Sequence, residues 1–264
     1  MSSASTSKPI LITVDVGNNP ARCRFLVYHK GLEDKVEMRT PGDYGGLSSD
    51  AYRAINPQGK IPALVLPGGK TLFEAKVVFQ YLNDVYGEVG PTVSPGSTPE
   101  DRALVALLVQ THDLYIASPN SSDPRVTANQ GAMYKSVELI DAESRVGKLA
   151  ELNKQLDVLE SLIVGPFAAG NALSEADMTL WPTLGVFFTF MLPRVFGWAD
   201  PLQHEARPKL KAWFAAVGAL PAAKKVQDEI LASLRGWEDS GKFVPIQQQM
   251  EANPSLKWKY PWTP

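Results

Sequence analysis

The sequence predicts an α/β domain followed by an all-helical one, and three observations predict it. The stretch Asn56 to Gly87 reads in turn as a turn, a strand, a tight turn, a second strand and an amphipathic helix. Upstream of it, short β-branched runs alternate with helical patterns. From Pro99 onward the apolar residues recur only at helical spacing, after a segment from Glu88 to Pro99 with the Pro- and Gly-rich composition of an interdomain linker. The expected boundaries are a tail at 1–8, an α/β domain at 9–87, a linker at 88–99, a helical domain at 100–236 and an extension at 237–264.

Composition narrows the function classes. The 264 residues are 44% hydrophobic and 20% charged, ordinary for a water-soluble globular chain. A net charge of −2 gives no case for nucleic acid as a partner. Cys23 is the single cysteine, so neither an intramolecular disulfide nor a Cys-x-x-Cys pair is possible, and a reducing, cytoplasmic location is expected. His29, His112 and His204 stand far apart, without metal-ligand spacing, so no metal is expected. The N-terminal eight residues lack the apolar core of a secretory signal and read as a disordered tail. The apolar region Leu180 to Phe196 contains Pro182, Gly185, Pro193 and Arg194, and reads as a buried helix rather than a membrane span.

The elements follow in order. Pro9 to Val16 is a buried strand; Gly17-Asn18-Asn19 is a turn, with Pro20 expected at the first helical position after an Asn cap. That helix runs to Lys30 and stops at Gly31. Val36-Glu37-Met38 is a second short strand, Asp43 to Gly46 a loop and Asp50 to Ile55 a helical turn. Ile61 to Leu66 is a strand headed by Pro62, which cannot donate to a ladder. Pro67 to Lys70 is a tight turn, and Thr71-Leu72-Phe73 pairs back. From Glu74 the residues Val77, Val78, Tyr81, Leu82 and Val85 form a helical stripe.

In the second half, Pro99 to Ile116 is one helix with Leu104, Leu107, Leu108 and Val109 inward. Ala117 to Gln130 is polar and turn-rich, an inserted loop. Ala142 to Val164 is a second long helix. Ser174-Glu175-Ala176-Asp177 is a capping box before an apolar run, worth about 1 kcal/mol. The extension carries Trp258, Tyr260 and Trp262 among prolines; it packs on its own domain or covers a cleft.

The stretch from Asn56 to Glu74 resembles the second half of the thioredoxin-like domain of glutathione transferases. That family's pattern is Asn-Pro, a basic or amide residue, a hydrophobic residue, a cis-proline, a strand, a Gly turn and Glu-Ser at a helix start. Asn56-Pro57, Lys60, Ile61-Pro62 and Glu74 match it, and Ala75 stands where Ser is usual. The resemblance extends over the whole α/β half, and Ser174 to Asp177 and Pro208 to Trp213 resemble the family's helical half. It implies a thioredoxin-like N-terminal domain plus an all-α helical bundle, glutathione as co-substrate, a small hydrophobic electrophile, and a homodimer without nucleic-acid or membrane partners.

The resemblance also implies site residues. Lys60, Ile61, Pro62, Glu74 and Ala75 hold glutathione, its γ-glutamyl carboxylate at the N–H groups of the helix start. A bound thiol must be made more acidic. Its free pKa is about 8.5, and lowering that by two units takes about 2.7 kcal/mol. One charge-assisted hydrogen bond supplies about 1.5–3 kcal/mol, so a single good donor at the first helix suffices. Relatives use Tyr, Ser or Cys there. Counting back from Arg22-Cys23-Arg24, the Ser/Cys position falls on Gly17, and no Tyr, Ser or Cys lies between Thr13 and Arg22. Asn19 falls where Nu-class and fungal prion-like relatives carry an Asn, so Asn19 and then Asn18 are the candidate donors, an amide being able to donate without titrating. Both read equally as turn and cap residues. Arg22 and Arg24 are candidates for the glutathione carboxylates or solvated residues, and Cys23 reads as core. His112 and Tyr115 are candidates for a second-substrate pocket, with His112 as a core contact the other reading. A non-catalytic regulatory, scaffold or carrier relative, and a glutathione-dependent lyase or isomerase, remain open beside the transferase.

Overall fold

The structure is a computed structural model that describes residues 8–117 and 128–259. Most of the N-terminal tail, most of the inserted loop, and Tyr260 and Trp262 therefore lie outside the described residues. The chain divides into two compact units, one of residues up to 93 with 220–230, the other of 94–219 with 231 onward.

The first unit is built on a four-stranded sheet of order β2-β1-β3-β4. Its elements are β1 (Ile10–Ile12), α1 (Asn18–Lys30), β2 (Glu37–Arg39), α2 (Asp50–Arg53), β3 (Ala63–Val65), β4 (Thr71–Phe73) and α3 (Ala75–Val85). β1 pairs parallel with β2 and antiparallel with β3, which pairs antiparallel with β4. Ile10, Ile12, Tyr52 and Ala63 form a buried cluster on which Ile55, Ile61 and Phe73 pack. On α3, Val78, Phe79 and Leu82 are buried, whereas Val77 and Val85, read as part of the same stripe, are 46% and 53% exposed.

Three expectations in this unit need correction. β1 is shorter than Pro9 to Val16, because the carbonyls of Val14 and Asp15 accept hydrogen bonds from the Arg24 guanidinium instead of a neighbouring strand. The first half of the 43–46 loop, Asp43 and Tyr44, closes a 3-10 turn over Pro41–Tyr44 boxed by Thr40 and Asp43. The third concerns α1, which begins at Asn18 with Gly17 as N-cap, so Asn18 and Asn19 lie in its first turn and Pro20 is its third residue. Proline is tolerated there because the first four N–H groups of a helix have no intrahelical partner anyway. The Ala21 N–H to Gly17 carbonyl bond, 3.0 Å, is the first of the ladder.

The second unit holds α4 (Pro99–Thr111), α5 (Ala142–Leu162), α6 (Glu175–Leu180), α7 (Thr189–Phe196), α8 (Pro208–Gly218) and α10 (Val244–Ala252), and α9 (Pro221–Asp239) runs from the first unit's residues into it. α4 continues through Ile116 in π-helical geometry, closed by the Ala117 N–H on the His112 carbonyl at 2.9 Å. Its buried positions are Val105, Leu108 and Val109, not Leu107, which is 48% exposed. The apolar rod Glu175–Phe196 is mostly buried within the protein. Its π-helical middle, Trp181–Phe188, brings Gly185 so close to the Trp181 indole that a Cβ there would lie 2.4 Å from Cε3.

The capping box at α6 forms as read: the Ser174 N–H and Oγ both donate to Asp177 Oδ2 at 2.8 Å. Oδ1 of Asp177 accepts the Ala168 N–H at 2.7 Å and Trp213 Nε1 at 2.9 Å. Burial pushes the Asp177 carboxyl up, and those donors oppose it. The extension packs on its own unit. Gln249 of α10 accepts from Arg145 Nε at 2.7 Å and donates to the Ile140 carbonyl at 3.0 Å. Trp198 Nε1 donates to the Trp258 carbonyl at 2.7 Å.

Candidate functional site

The site lies at one end of the sheet in the first unit. Antiparallel pairing sets Ala63 opposite Phe73 and Ile12 opposite Ala63. The next residue on each strand, Pro62, Glu74 and Thr13, therefore meets its neighbours at the same edge. The Ile61–Pro62 bond is cis. Glu74, the N-cap of α3, sits at φ 72°, the one non-Gly residue in left-handed backbone among the described residues. Such a conformation costs about 1–3 kcal/mol and is retained where surrounding structure imposes it.

Two side chains build the loop ahead of Pro62. The Asn56 Oδ1 accepts the Gln58 N–H at 3.0 Å, and its Nδ2 donates to the Lys60 carbonyl at 2.6 Å. The Tyr52 hydroxyl donates to the same carbonyl at 2.6 Å. Burial pushes the Tyr52 phenol up to about 12, so it stays a donor through the neutral range. Two donors on one carbonyl hold the Lys60–Ile61 peptide from behind. Lys60 and Ile61 themselves are half-buried and Pro62 is buried.

The start of α3 is suited to an anion. Its first turn has no acidic residue, and the Glu74 side chain does not cap it. Free N–H groups and the helix dipole favour a negative group there. Ala75 is buried, and its carbonyl accepts the Cys23 thiol at 3.5 Å, tying the middle of α1 to the start of α3. Cys23 is fully buried, as its reading as a core residue required.

At the start of α1, Gly17 leaves no room for the family's hydroxyl or thiol. A Cβ on Gly17 would meet Pro20 Cγ at 2.5 Å and Val14 Cγ2 at 3.3 Å. Asn18 and Asn19 are both half-buried, and the Asn19 Oδ1 accepts a long 3.4 Å bond from Arg22 Nη2. Oδ1 of Asn19 is thereby turned to Arg22.

Neither arginine of α1 reaches outward, contrary to one of the two readings offered for them and to the other as solvated residues. Arg22 and Arg24 are each 1% exposed. Arg24 donates from Nη1 to Thr13 Oγ1 at 2.7 Å and to the Val14 carbonyl, from Nη2 to the Asp15 carbonyl at 2.7 Å, and from Nε to Glu229 Oε2 at 2.9 Å. Sequence reasoning missed this clamp, since Glu229 is 205 positions away.

The two residues proposed for the second substrate lie in the other unit, on the π-helical continuation of α4. His112 is 1% exposed, with Nδ1 2.8 Å from Asp113 Oδ1 and Nε2 2.7 Å from Thr183 Oγ1. Tyr115 is 53% exposed. They are three residues apart on one helix, but only Tyr115 offers its side chain to solvent. Among the described residues there is no cluster of His, Cys, Asp or Glu fit for a metal.

The family model "Glutathione S-transferase, N-terminal domain" matches residues 18–85, and "Glutathione S-transferase, C-terminal domain" matches 136–216. Glutathione S-transferase 3 of Zea mays is 32% identical over 213 residues, 78% of this chain and 87% of its own length. Protein LigF of Sphingobium is 33% identical over 242 residues, 80% of this chain and 89% of its own. Among solved structures, glutathione transferase F7 of Populus trichocarpa superposes with a TM-score of 0.64 at 20% identity, covering 84% of this chain and 99% of that one. The chain belongs to the glutathione transferase superfamily, with its thioredoxin-like fold and helical domain.

Proposed function

We propose that the chain is an enzyme that binds glutathione at this sheet edge and either conjugates it to a small hydrophobic electrophile or uses it to reduce one. The observation that supports this most is the meeting, on one edge of a small sheet, of cis-Pro62, the clamped Lys60–Ile61 peptide and the uncapped start of α3. An extended peptide bearing carboxylates suits that edge. The Ile61 backbone would pair with the cysteinyl portion, and Lys60 would face the glycyl carboxylate. Glu74 and the N–H groups from Ala75 on would hold the γ-glutamyl end. Ala75 in place of Ser removes one hydroxyl hydrogen bond, a loss of about 0.5–1.5 kcal/mol, and leaves the main-chain donors.

The thiol would be activated at the start of α1. Asn19, and after it Asn18, would donate to the sulfur, and the helix N-terminus would favour the thiolate by about 0.3–1 kcal/mol. No proton needs to reach either amide; the thiol proton leaves to solvent. Tyr115 is retained as a contact for the electrophile. The buried His112 would act behind it, holding the helix through Thr183. Cytoplasmic location, a homodimeric assembly and the absence of nucleic-acid or membrane partners belong to the same proposal.

Gly17 favours a second reading, a glutathione-binding relative without turnover, because the hydroxyl or thiol that relatives use has no space here. Asn19→Ala and Asn18→Ala separate the two. In the enzyme reading, Asn19→Ala lowers kcat/KM for a model electrophile by about tenfold or more, one lost charge-assisted hydrogen bond, while glutathione affinity changes little. Wild-type turnover no faster than that of either variant would leave binding alone.

A further inference from the structure

A buried guanidinium clamps the turn before α1. Arg24 fixes Thr13, Val14 and Asp15 from the inside, and the Val14 carbonyl that it takes also accepts the Gly17 N–H at 3.3 Å. The guanidinium thus shares an acceptor with Gly17, the N-cap of α1 and two residues before Asn19. A guanidinium at 1% exposure needs a counter-charge, since an uncompensated buried ion is strongly unfavourable. The counter-charge is Glu229, on the part of α9 that belongs to the first unit.

Glu229 is itself held on both oxygens. Oε2 accepts from Arg24 Nε at 2.9 Å and Oε1 from the Tyr28 hydroxyl at 2.6 Å. Burial, then the Glu229 carboxylate, pushes the Tyr28 phenol above its ordinary range, so it remains a donor. Lys225, one turn earlier on α9, lies 3.8 Å above the Tyr28 ring and 3.2 Å from Glu33. Arg24 and Tyr28 of α1 thereby hold the Glu229 carboxylate of α9, and Lys225 packs on the Tyr28 ring behind it. The carboxylate side chain is 22% exposed and the arginine 1%, so the charge sits where solvent screening is weak.

We propose that Glu229, acting through Arg24, is a positioning residue that sets the β1–α1 turn from which the thiol of bound glutathione is activated. The inference rests on the function proposed above. It adds a residue from the far end of the chain to the site. Placement of a donor within a fraction of an ångström governs activation, and a misplacement of about 1 Å is enough to lose about a hundredfold in rate. Binding would be largely spared, because the Lys60–Pro62 platform and the start of α3 share no hydrogen bond with Arg24 or Glu229 among the described residues.

The test uses the full chain and four variants: Glu229→Gln, Glu229→Asp, Tyr28→Phe and, as a control at an exposed ion pair of the other unit, Arg194→Ala. Glutathione affinity is read by calorimetry, the bound thiol by thiolate absorbance against pH, and the turn by amide hydrogen exchange over residues 13–19. In Glu229→Gln the expected result is an affinity within about threefold of wild type, a bound-thiol pKa raised by about one unit, and kcat down by about tenfold, one pKa unit corresponding to about 1.4 kcal/mol. Exchange over 13–19 rises while β3 and β4 stay protected. Glu229→Asp recovers part of the thiol shift, Tyr28→Phe gives a smaller shift of the same sign, and Arg194→Ala none. A Glu229→Gln chain that melts earlier but keeps the wild-type thiol pKa, kcat and exchange would overturn the inference, leaving a purely structural pair. A wild-type chain that binds glutathione without shifting its thiol would overturn the activation reading and this inference with it. Wild-type failure to bind glutathione would overturn the function itself.

Discussion

Restoring the family's hydroxyl at Gly17 is predicted to destabilise the chain. Gly17 has φ −79° and ψ 120°, extended backbone that serine adopts freely, so no conformational penalty attaches to Gly17→Ser. Serine is also a slightly better N-cap than glycine, by a few tenths of a kcal/mol. Against this stands the new Cβ, 2.5 Å from Pro20 Cγ and 3.0 Å from Cδ, atoms of a stiff ring inside the first turn. Overpacking of this kind costs about 1–3 kcal/mol, so the clash outweighs the cap. For a chain of this length each kcal/mol moves the melting temperature by about 2–4 °C. The assay is a double-mutant cycle by thermal unfolding. Gly17→Ser should lower Tm by several degrees in the wild-type background and by less than about 1 °C in Pro20→Ala, where the ring is gone. An equal loss in both backgrounds, or none in the wild type, would refute the packing argument. The explanation given for the missing hydroxyl would fall with it.

Other consequences are as direct. Asp177→Ala removes the acceptor of four buried donors on Ala168, Ser174 and Trp213 and should cost about 3–5 kcal/mol, read by denaturant unfolding; a loss under about 1 kcal/mol would mean that the donors find other partners. Gln249→Ala should cost about 1–2 kcal/mol by stripping an acceptor from the buried Arg145, whose guanidinium burial lowers to about 10; an unchanged midpoint would show that α10 is not anchored there. The pKa of His29 is lowered, first by burial, so below about pH 6.5 the unfolded chain binds more of this proton than the folded chain does. Its contribution is therefore present above that pH and lost as pH falls. His29→Gln should melt with a shallower decline between pH 7 and 5, and parallel curves would contradict the assignment.

Much of the first unit was legible because its signals are local. Pro67 to Lys70 punctuates two β-rich runs, and β4 forms over the very residues that pattern marked, Thr71–Phe73. The cis bond at Pro62 and the capping box of Ser174 and Asp177 follow from motifs of a few residues. What escaped was set by distant partners. Arg24 reads alone as a ligand-seeking or solvated residue, because Glu229 meets it only in the fold. The start of α1 was misjudged because the preference of proline for the first helical position is only a preference, and any of the first four positions spares the missing N–H. Leu107 reads as inward since a helical stripe with several leucines has more than one consistent phase; packing chose Val105, Leu108 and Val109. His112 is buried with Nε2 on Thr183, as its reading as a core contact has it, and nothing near His112 in sequence announces that partner.

The most direct test of the account is titration of the wild-type chain with glutathione by calorimetry, followed on the same sample by thiolate absorbance of the bound ligand against pH. The chain is expected to bind glutathione saturably at one site, with the bound thiol ionising well below its free value of about 8.5. Glutathione that binds with an unshifted thiol would contradict the activation at Asn19, and no binding at all would contradict the proposed function.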